Sequence, residues 1–284
     1  MRQEDEHGLM HADEGIDVER DNLYLLLDGA ALPALRVIYQ HDDAPKAEPL
    51  YRGTRHESML EVSPVLYRFS IRHRMWANRE HWQSAGLLFE SPVNIDDLVG
   101  HLRSLLSVRL PSGELAFCRF YDPYLTKRFF DSLTQDELRA WLGPISTIWL
   151  PAEENKWLAF GTPYVSAARS ADDEGWFSIR PEHLAHWQKQ ERQLFIQRLV
   201  SHFCVDDFHG QSNVELKDFI HQRTAEAERF GINSEHHLLT YVELALQFPD
   251  AIDSPRVRTQ LANMEEPAEH RLARIEAGLL GLHG

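Results

Sequence analysis

The stretch between Gly113 and Pro123 constrains the fold most, because it combines a turn, a strand and the start of a helix. The tripeptide Pro-Ser-Gly at positions 111–113 is typical of a turn. After it, residues alternate between two faces, one with Leu115, Phe117, Arg119 and Tyr121 and the other with Ala116, Cys118 and Phe120. This alternation predicts a strand over residues 114–121, paired in a hairpin with residues 107–110 and mostly buried on both faces.

Asp122 and Pro123 end this strand and predict the start of a helix. An Asp side chain can accept hydrogen bonds from the free N–H groups of a first helical turn, and proline fits the first helical position. We therefore interpret Asp122 as a helix cap rather than as a functional residue. Arg119 and Tyr121 lie on the same predicted strand face and are candidates for an additional contact with its carboxylate.

The region 22–170 alternates strand and helix patterns throughout. The apolar run at 23–27 predicts a buried strand that Asp28 and Gly29 terminate, and residues 86–90 predict another. Residues 94–106 predict a helix capped by Asn94, and residues 145–150 and 156–160 predict a hairpin. The alternation predicts an α/β (α+β) amino-terminal lobe with a mixed sheet covered by helices.

The remaining chain divides into two further regions. Residues 1–21 are strongly acidic and lack apolar periodicity, which predicts a disordered leader. Residues 171–284 carry helical patterns only, beginning with a long helix at 181–203 and a capping box formed by Ser212 and Glu215. We predict an all-helical carboxyl-terminal lobe of about five helices.

Charge and composition exclude several classes of partner. The formal net charge of −15 argues against nucleic acid or an anionic membrane surface as the main partner, since both need a cationic face. No apolar run approaches the roughly 20 residues that span a bilayer, and no secretory signal precedes the first strand. With only two cysteines, Cys118 and Cys204, the sequence predicts a cytoplasmic protein in a reducing compartment.

The common catalytic motifs for nucleophilic, nucleotide-dependent and metal-dependent enzymes are absent from the sequence. The densest group of potential metal ligands consists of His202, Cys204, Asp206, Asp207 and His209. It straddles a predicted helix end, where such residues are ordinary polar groups, and its spacing does not match a zinc site. We predict no catalytic residues, no cofactor and no metal.

Other titratable groups are interpreted as structural. Asp42 and Asp43 are expected to be solvated in a loop, and His183 and His186 to be partly exposed on a helix. Most of the tryptophans are expected in the core. One or two exposed tryptophans would mark a protein-binding surface, because aromatic anchors concentrate interface energy.

Several ordered motifs resemble the adaptor/chaperone family of bacterial type VI secretion. These Tap or TEC proteins form a domain-of-unknown-function family encoded between VgrG spike genes and effector genes. The resemblance covers residues 23–150 and extends to weaker motifs in the helical region, at 229–234 and 267–275. One departure is Ser63, where the family tends to have glycine. The motifs are Leu27-Asp28-Gly29-Ala30, Leu50-Tyr51-Arg52-Gly53-Thr54, Ser63-Pro64-Val65-Leu66, His101-Leu102-Arg103, Arg119-Phe120-Tyr121-Asp122-Pro123 and Gly143-Pro144.

The resemblance implies a non-enzymatic cytoplasmic protein that binds a toxic effector, through the effector's amino-terminal segment, and loads it onto the VgrG spike. It brings no catalytic residues and leaves the partner-binding surface unknown. Within the motifs, Asp28, Arg119, Tyr121, Asp122 and Pro123 are interpreted as structural residues. The alternative is a metal-dependent hydrolase that uses the region of His202, Cys204 and His209.

Overall fold

The computed structural model describes residues 10–12, 16, 21–69, 72–152, 156–203 and 213–281. The chain forms two compact units, Met1–Trp187 and Gln188–Gly284. The first holds a sheet with helices and the second is helical, so the predicted fold class is confirmed, although the described strand pairs of the sheet are antiparallel rather than mixed. The domain limits drawn from composition, after residues 21 and 170, stay predictions.

Nine described strands lie in the first unit. Seven of them form one sheet in the order β1-β9-β8-β5-β2-β4-β3, and every neighbouring pair is antiparallel. β6 and β7 form a separate antiparallel hairpin. The strands are β1 Met10–Ala12, β2 Leu23–Leu27, β3 Ala47–Pro49, β4 Val65–Arg68, β5 Gly86–Glu90, β6 Ser107–Arg109, β7 Leu115–Phe117, β8 Thr147–Pro151 and β9 Trp157–Gly161.

β2 is buried on both faces, as its unbroken apolar run predicts. Tyr24 and Leu26 point into one core cluster, whereas Leu23, Leu25 and Leu27 point into the other. Successive side chains of a strand lie on opposite faces, so β2 contributes to both cores. In register, Leu25 pairs with Tyr67 of β4 on one side and with Leu88 of β5 on the other.

Helices cover both faces of this sheet and form the second unit. Asn94 caps α3, and Ser234 caps α8, by accepting hydrogen bonds from Asp97 and His237. The predicted Ser212 capping box lies outside the described residues. The helices are α1 Ala34–His41, α2 Arg72–Ala77, α3 Ile95–Ser104, α4 Pro123–Phe130, α5 Gln135–Leu142, α6 Pro181–Phe203, α7 Asn213–Arg229, α8 Glu235–Gln247, α9 Pro249–Ile252, α10 Pro255–Ala262 and α11 Ala268–Leu280, with 3-10 segments Glu57–Val62, Arg79–His81, Gln83–Ala85 and Ala171–Asp173.

Five residues of the predicted leader are described, namely Met10–Ala12, Ile16 and Asp21. Met10–Ala12 forms β1 and pairs with Trp157–Gly161, so that His11 lies opposite Leu158. Ile16 packs against the core cluster that includes Leu25. Backbone pairing with β9 places β1 at one edge of the seven-stranded sheet.

The strand predicted over residues 114–121 is shorter and more exposed than expected. β7 covers only Leu115–Phe117, and the side chains of Leu115 and Phe117 are 43% and 42% exposed. The expectation of burial on both faces is wrong because the hairpin is separate from the seven-stranded sheet. Only the face with Ala116 and Cys118 packs on the core, and a turn at Arg119 then directs the chain into α4.

Candidate functional site around Arg119

The carboxylate of Asp28 lies at the end of β2 and is almost fully buried, at 2% exposure. Its Oδ1 accepts a hydrogen bond from the Ala30 N–H at 2.8 Å, and its Oδ2 accepts one from Arg119 Nη2 at 2.8 Å. The Arg119 side chain remains 42% exposed. A buried carboxylate is costly unless it is paired, so Arg119 compensates a charge that the fold places under the surface.

Asp122 contacts Arg119 and also caps the start of α4. Its Oδ1 accepts hydrogen bonds from the backbone N–H groups of Tyr124 at 3.0 Å and Leu125 at 3.2 Å, and Pro123 occupies the first helical position. The cap predicted from the sequence is therefore confirmed. Its Oδ2 lies 3.7 Å from Arg119 Nη2, so the expected additional contact is an ion pair with Arg119.

Tyr121 forms the buried part of this cluster. Its hydroxyl lies 2.6 Å from the hydroxyl of Tyr51, and the Arg119 guanidinium lies 5.8 Å from the centre of its ring. Burial raises the pKa of both phenols. Burial of the neighbouring Cys118 thiol raises its pKa to about 12. These groups stay protonated at neutral pH, so none of them supplies a base or an activated nucleophile.

An exposed aromatic side chain, Phe117, lies next to this cluster and packs on the partly buried His56 and the buried Tyr51. The ring centres of Phe117 and His56 are 4.9 Å apart, and both rings contact Tyr51. His56 Nε2 lies 3.3 Å from Glu174 Oε1, which also pairs with Arg55 at 3.0 Å. The sequence predicted neither His56 nor Glu174 here, since neither belongs to a periodic pattern.

The part of the chain that contains this cluster is similar to known proteins. Residues 23–140 match the family described as "Domain of unknown function (DUF4123)". We call residues 23–140 the DUF4123 domain, after the family model that they match. The chain is also 26% identical over 230 residues to "Accessory protein VasW" of Vibrio cholerae serotype O1, covering 78% of this chain and 74% of that protein. No solved structure matches. Both matches fit the Tap or TEC adaptor family that the motifs resemble.

All five motif residues, from Asp28 to Pro123, lie within the DUF4123 domain. The structure brings Asp28, Arg119, Tyr121 and Asp122 together although 91 residues separate Asp28 from Arg119. Tyr51, from another motif of the resemblance, joins them through its hydroxyl. The cluster thus ties the end of β2, the segment after β3 and the start of α4 into one site. Its purely structural role stays a prediction.

The potential metal ligands lie beyond the DUF4123 domain. His202 is exposed at the end of α6, and its Nε2 lies 4.0 Å from Glu243 Oε1. Cys204, Asp206, Asp207 and His209 lie outside the described residues. Within the described residues, no three His, Cys, Asp or Glu side chains group closely enough to hold a metal. The hydrolase alternative at this region stays a prediction.

Two titratable groups expected in solvent are buried instead. Asp42 is 3% exposed and accepts a hydrogen bond from the Tyr67 hydroxyl at 2.8 Å. His183 is fully buried, and its Nε2 lies 3.3 Å from Glu137 Oε2. Partial burial alone would raise the pKa of Glu137, but hydrogen bonds from Arg180, Thr134 and His183 lower it to about 2. Both expectations were wrong because the partners are distant in sequence.

Exposed tryptophans do not mark a surface of this protein. All seven tryptophans are described, and each is buried or partly buried. The large aromatic residues that are exposed within the DUF4123 domain are Phe117, Tyr39 and Tyr124. Among them, Phe117 adjoins the Arg119 cluster through its contact with Tyr51. None of the described helices is both long and apolar enough to cross a membrane.

Proposed function

We propose that this chain is a cytoplasmic adaptor of bacterial type VI secretion. It binds a toxic effector through the effector's amino-terminal segment and carries it to the VgrG spike protein. The observation that carries the proposal is the DUF4123 match over residues 23–140, which contains the whole Arg119 cluster. The similarity to an accessory protein, VasW, supports a role that assists the secretion system rather than a catalytic one.

The chemistry of the Arg119 cluster favours binding over turnover. The Asp28 carboxylate is already occupied by Arg119 and by the Ala30 N–H, so it has little capacity left to activate water. The phenols of Tyr51 and Tyr121 hydrogen-bond each other and stay protonated. What remains accessible is apolar surface beside a rigid polar cluster. Such surfaces anchor protein partners.

Co-expression tests this proposal. A type VI secretion effector from the same organism is produced with and without the chain, and its soluble yield is measured. A partner that binds the folded or partly folded effector stabilises it by mass action, so the yield is expected to rise and a complex to elute on size exclusion. A pull-down with VgrG then asks whether the spike protein joins the complex. Equal solubility with no complex would refute the adaptor function.

A further inference from the structure

The outer strand of the β6–β7 hairpin has a free edge. Val108 lies opposite Ala116, and the backbone hydrogen bonds that flank this pair run from Cys118 N–H to Leu106 C=O and from Leu110 N–H to Glu114 C=O. In an antiparallel ladder the intervening residues point their N–H and C=O groups away from the partner strand. Leu115 and Phe117 are these intervening residues in β7.

The hydrogen bonds of β6 follow the same alternation, because the outward-pointing groups of Arg109 pair on the side away from β7. The N–H of Arg109 donates to Phe177 C=O, and the C=O of Arg109 accepts from Ile179 N–H, so β6 is paired on both sides. No described residue pairs with the outer side of Leu115 and Phe117. An unpaired edge of this kind is a template for another strand.

The side chains along this edge favour an apolar partner. Leu115 and Phe117 lie on the outward face, with more than two fifths of each side chain exposed. Phe117 is supported by the rings of His56 and Tyr51. The opposite face of β7 packs on the core through Ala116, which holds the edge in place. A strand added here would bury two apolar side chains on a supported surface.

The positions of two arginines indicate where an added strand would carry an acidic residue. Arg109 Nη1 donates to the carbonyl oxygen of Gly113, which places the guanidinium at the turn of the hairpin. In the described part of the chain, Arg109 has no carboxylate partner. At the other end of β7, Arg119 is already paired with Asp28 and Asp122. We therefore expect the added strand to carry a carboxylate opposite Gly113, where Arg109 lies, and not opposite Arg119.

We propose that β7 binds an extended segment of a partner protein as an added antiparallel strand. The segment reads apolar-x-apolar-x-acidic from its amino end, with the apolar residues opposite Phe117 and Leu115 and the acidic residue opposite Gly113. Main-chain hydrogen bonds to the free edge supply affinity, and the alternating side chains supply specificity. This inference rests on the proposed function only for its partner, which is the amino-terminal segment of the effector.

Peptide binding tests the edge without the effector. The probes are short fluorescein-labelled peptides with Val, Leu or Phe at the two apolar positions, Thr between them and Asp at the fifth position. Scrambled peptides of equal composition are the controls. Pattern peptides are expected to bind the full chain and to slow hydrogen exchange at the Leu115 and Phe117 amides. The Ala116 amide, which faces β6, is expected to change little.

Two matched variants separate the backbone contribution from the side-chain contribution. Leu115→Pro removes an N–H that no hairpin hydrogen bond uses, and Leu115→Ala removes most of the same side chain but keeps that N–H. Leu115→Pro loses one main-chain hydrogen bond to the peptide that Leu115→Ala keeps. Its peptide affinity is therefore expected to be about tenfold weaker than that of Leu115→Ala. Arg109→Gln is expected to remove the preference for Asp over Asn at the fifth position. Circular dichroism checks that each variant is folded.

Three results would overturn the inference. One is unchanged exchange at Leu115 and Phe117 with every pattern peptide, whether or not the effector binds. Another is equal peptide affinity of folded Leu115→Pro and Leu115→Ala. The third is concentration-dependent protection of these two amides in the chain alone, which would identify a second copy as the occupant. If the chain forms no complex with the effector, the proposed function is refuted. The peptide results would still show whether the free edge of β7 binds an added strand.

Discussion

Replacement of Arg119 by methionine tests whether the fold depends on the ion pair with Asp28. Methionine keeps an unbranched apolar stem beside Tyr121 but removes the guanidinium that lies 2.8 Å from Asp28 Oδ2. In the wild type Asp28 is 2% exposed, and its other observed donor is the Ala30 N–H. The variant therefore leaves a buried carboxylate with one of its two observed partners.

The expected loss of stability is about 2 kcal/mol. Removing one partner of a fully buried ion pair typically costs about 3–5 kcal/mol. Arg119 is 42% exposed, so water can replace part of the interaction and the cost moves towards that of one charged hydrogen bond, about 1.5–3 kcal/mol. Asp28→Asn removes the negative charge that Arg119 neutralises. Arg119→Met is therefore expected to lower the free energy of unfolding by less in the Asp28→Asn background than in the wild type.

Urea unfolding followed by tryptophan fluorescence measures this loss. All seven tryptophans lie in the first unit, so the signal reports on the unit that contains Asp28 and Arg119. Arg139→Met is the matched control. Arg139 also pairs with an aspartate, Asp136, at 3.1 Å, but that carboxylate is 92% exposed. Such surface pairs contribute about 0–1 kcal/mol, so the control is expected to unfold close to the wild type.

The reasoning fails if Arg119→Met and Arg139→Met unfold alike, because burial of Asp28 would then have no energetic consequence. It also fails if Arg119→Met costs as much in the Asp28→Asn background as in the wild type, since the two residues would not be coupled. A variant with wild-type stability that no longer binds the effector would assign Arg119 to the partner-binding surface instead of the fold.

Three further predictions concern the first unit. Asp122→Asn is expected to retain the cap and lose about 0.3–1 kcal/mol, whereas Asp122→Ala is expected to lose about 0.5–2 kcal/mol, both by thermal unfolding beside an effector pull-down; loss of binding by a fully stable Asp122→Asn would contradict the structural role. Burial lowers the pKa of His101 from 6.5 to about 4. As the pH falls, the unfolded chain binds a proton at His101 before the folded chain does. The free energy of unfolding should therefore fall between pH 6.5 and pH 4 by up to about 3 kcal/mol. His101→Gln should flatten this pH dependence in urea titrations at each pH. Gly29→Ala would place a Cβ 2.1 Å from the carbonyl oxygen of Ser63 and is expected to cost about 1–3 kcal/mol. Gly100→Ala in α3 of the same unit, where a Cβ would meet no atom closer than 3.4 Å, should not destabilise, so equal urea midpoints for the two variants would refute the steric argument.

Local patterns in the sequence determined the elements and several of their ends. β2, β5 and α6 have the predicted limits, and Asn94 and Asp122 cap α3 and α4 as expected. Each of these features depends on residues within one or two turns of each other, so the chain carries the information locally. The family motifs also lie in local runs, and for this reason the sequence alone predicts the resemblance to the Tap or TEC family.

Contacts between distant residues were decided only by the tertiary structure. The sequence showed Asp28 and Arg119 in separate motifs, but only the packing of β2 against the segment after β7 places their charged groups 2.8 Å apart. Likewise, the alternation in β7 predicts a strand but not its neighbours. The exposure of Phe117 and the free edge of β7 follow from which strands pair, and strand pairing is set by contacts that a local pattern does not encode.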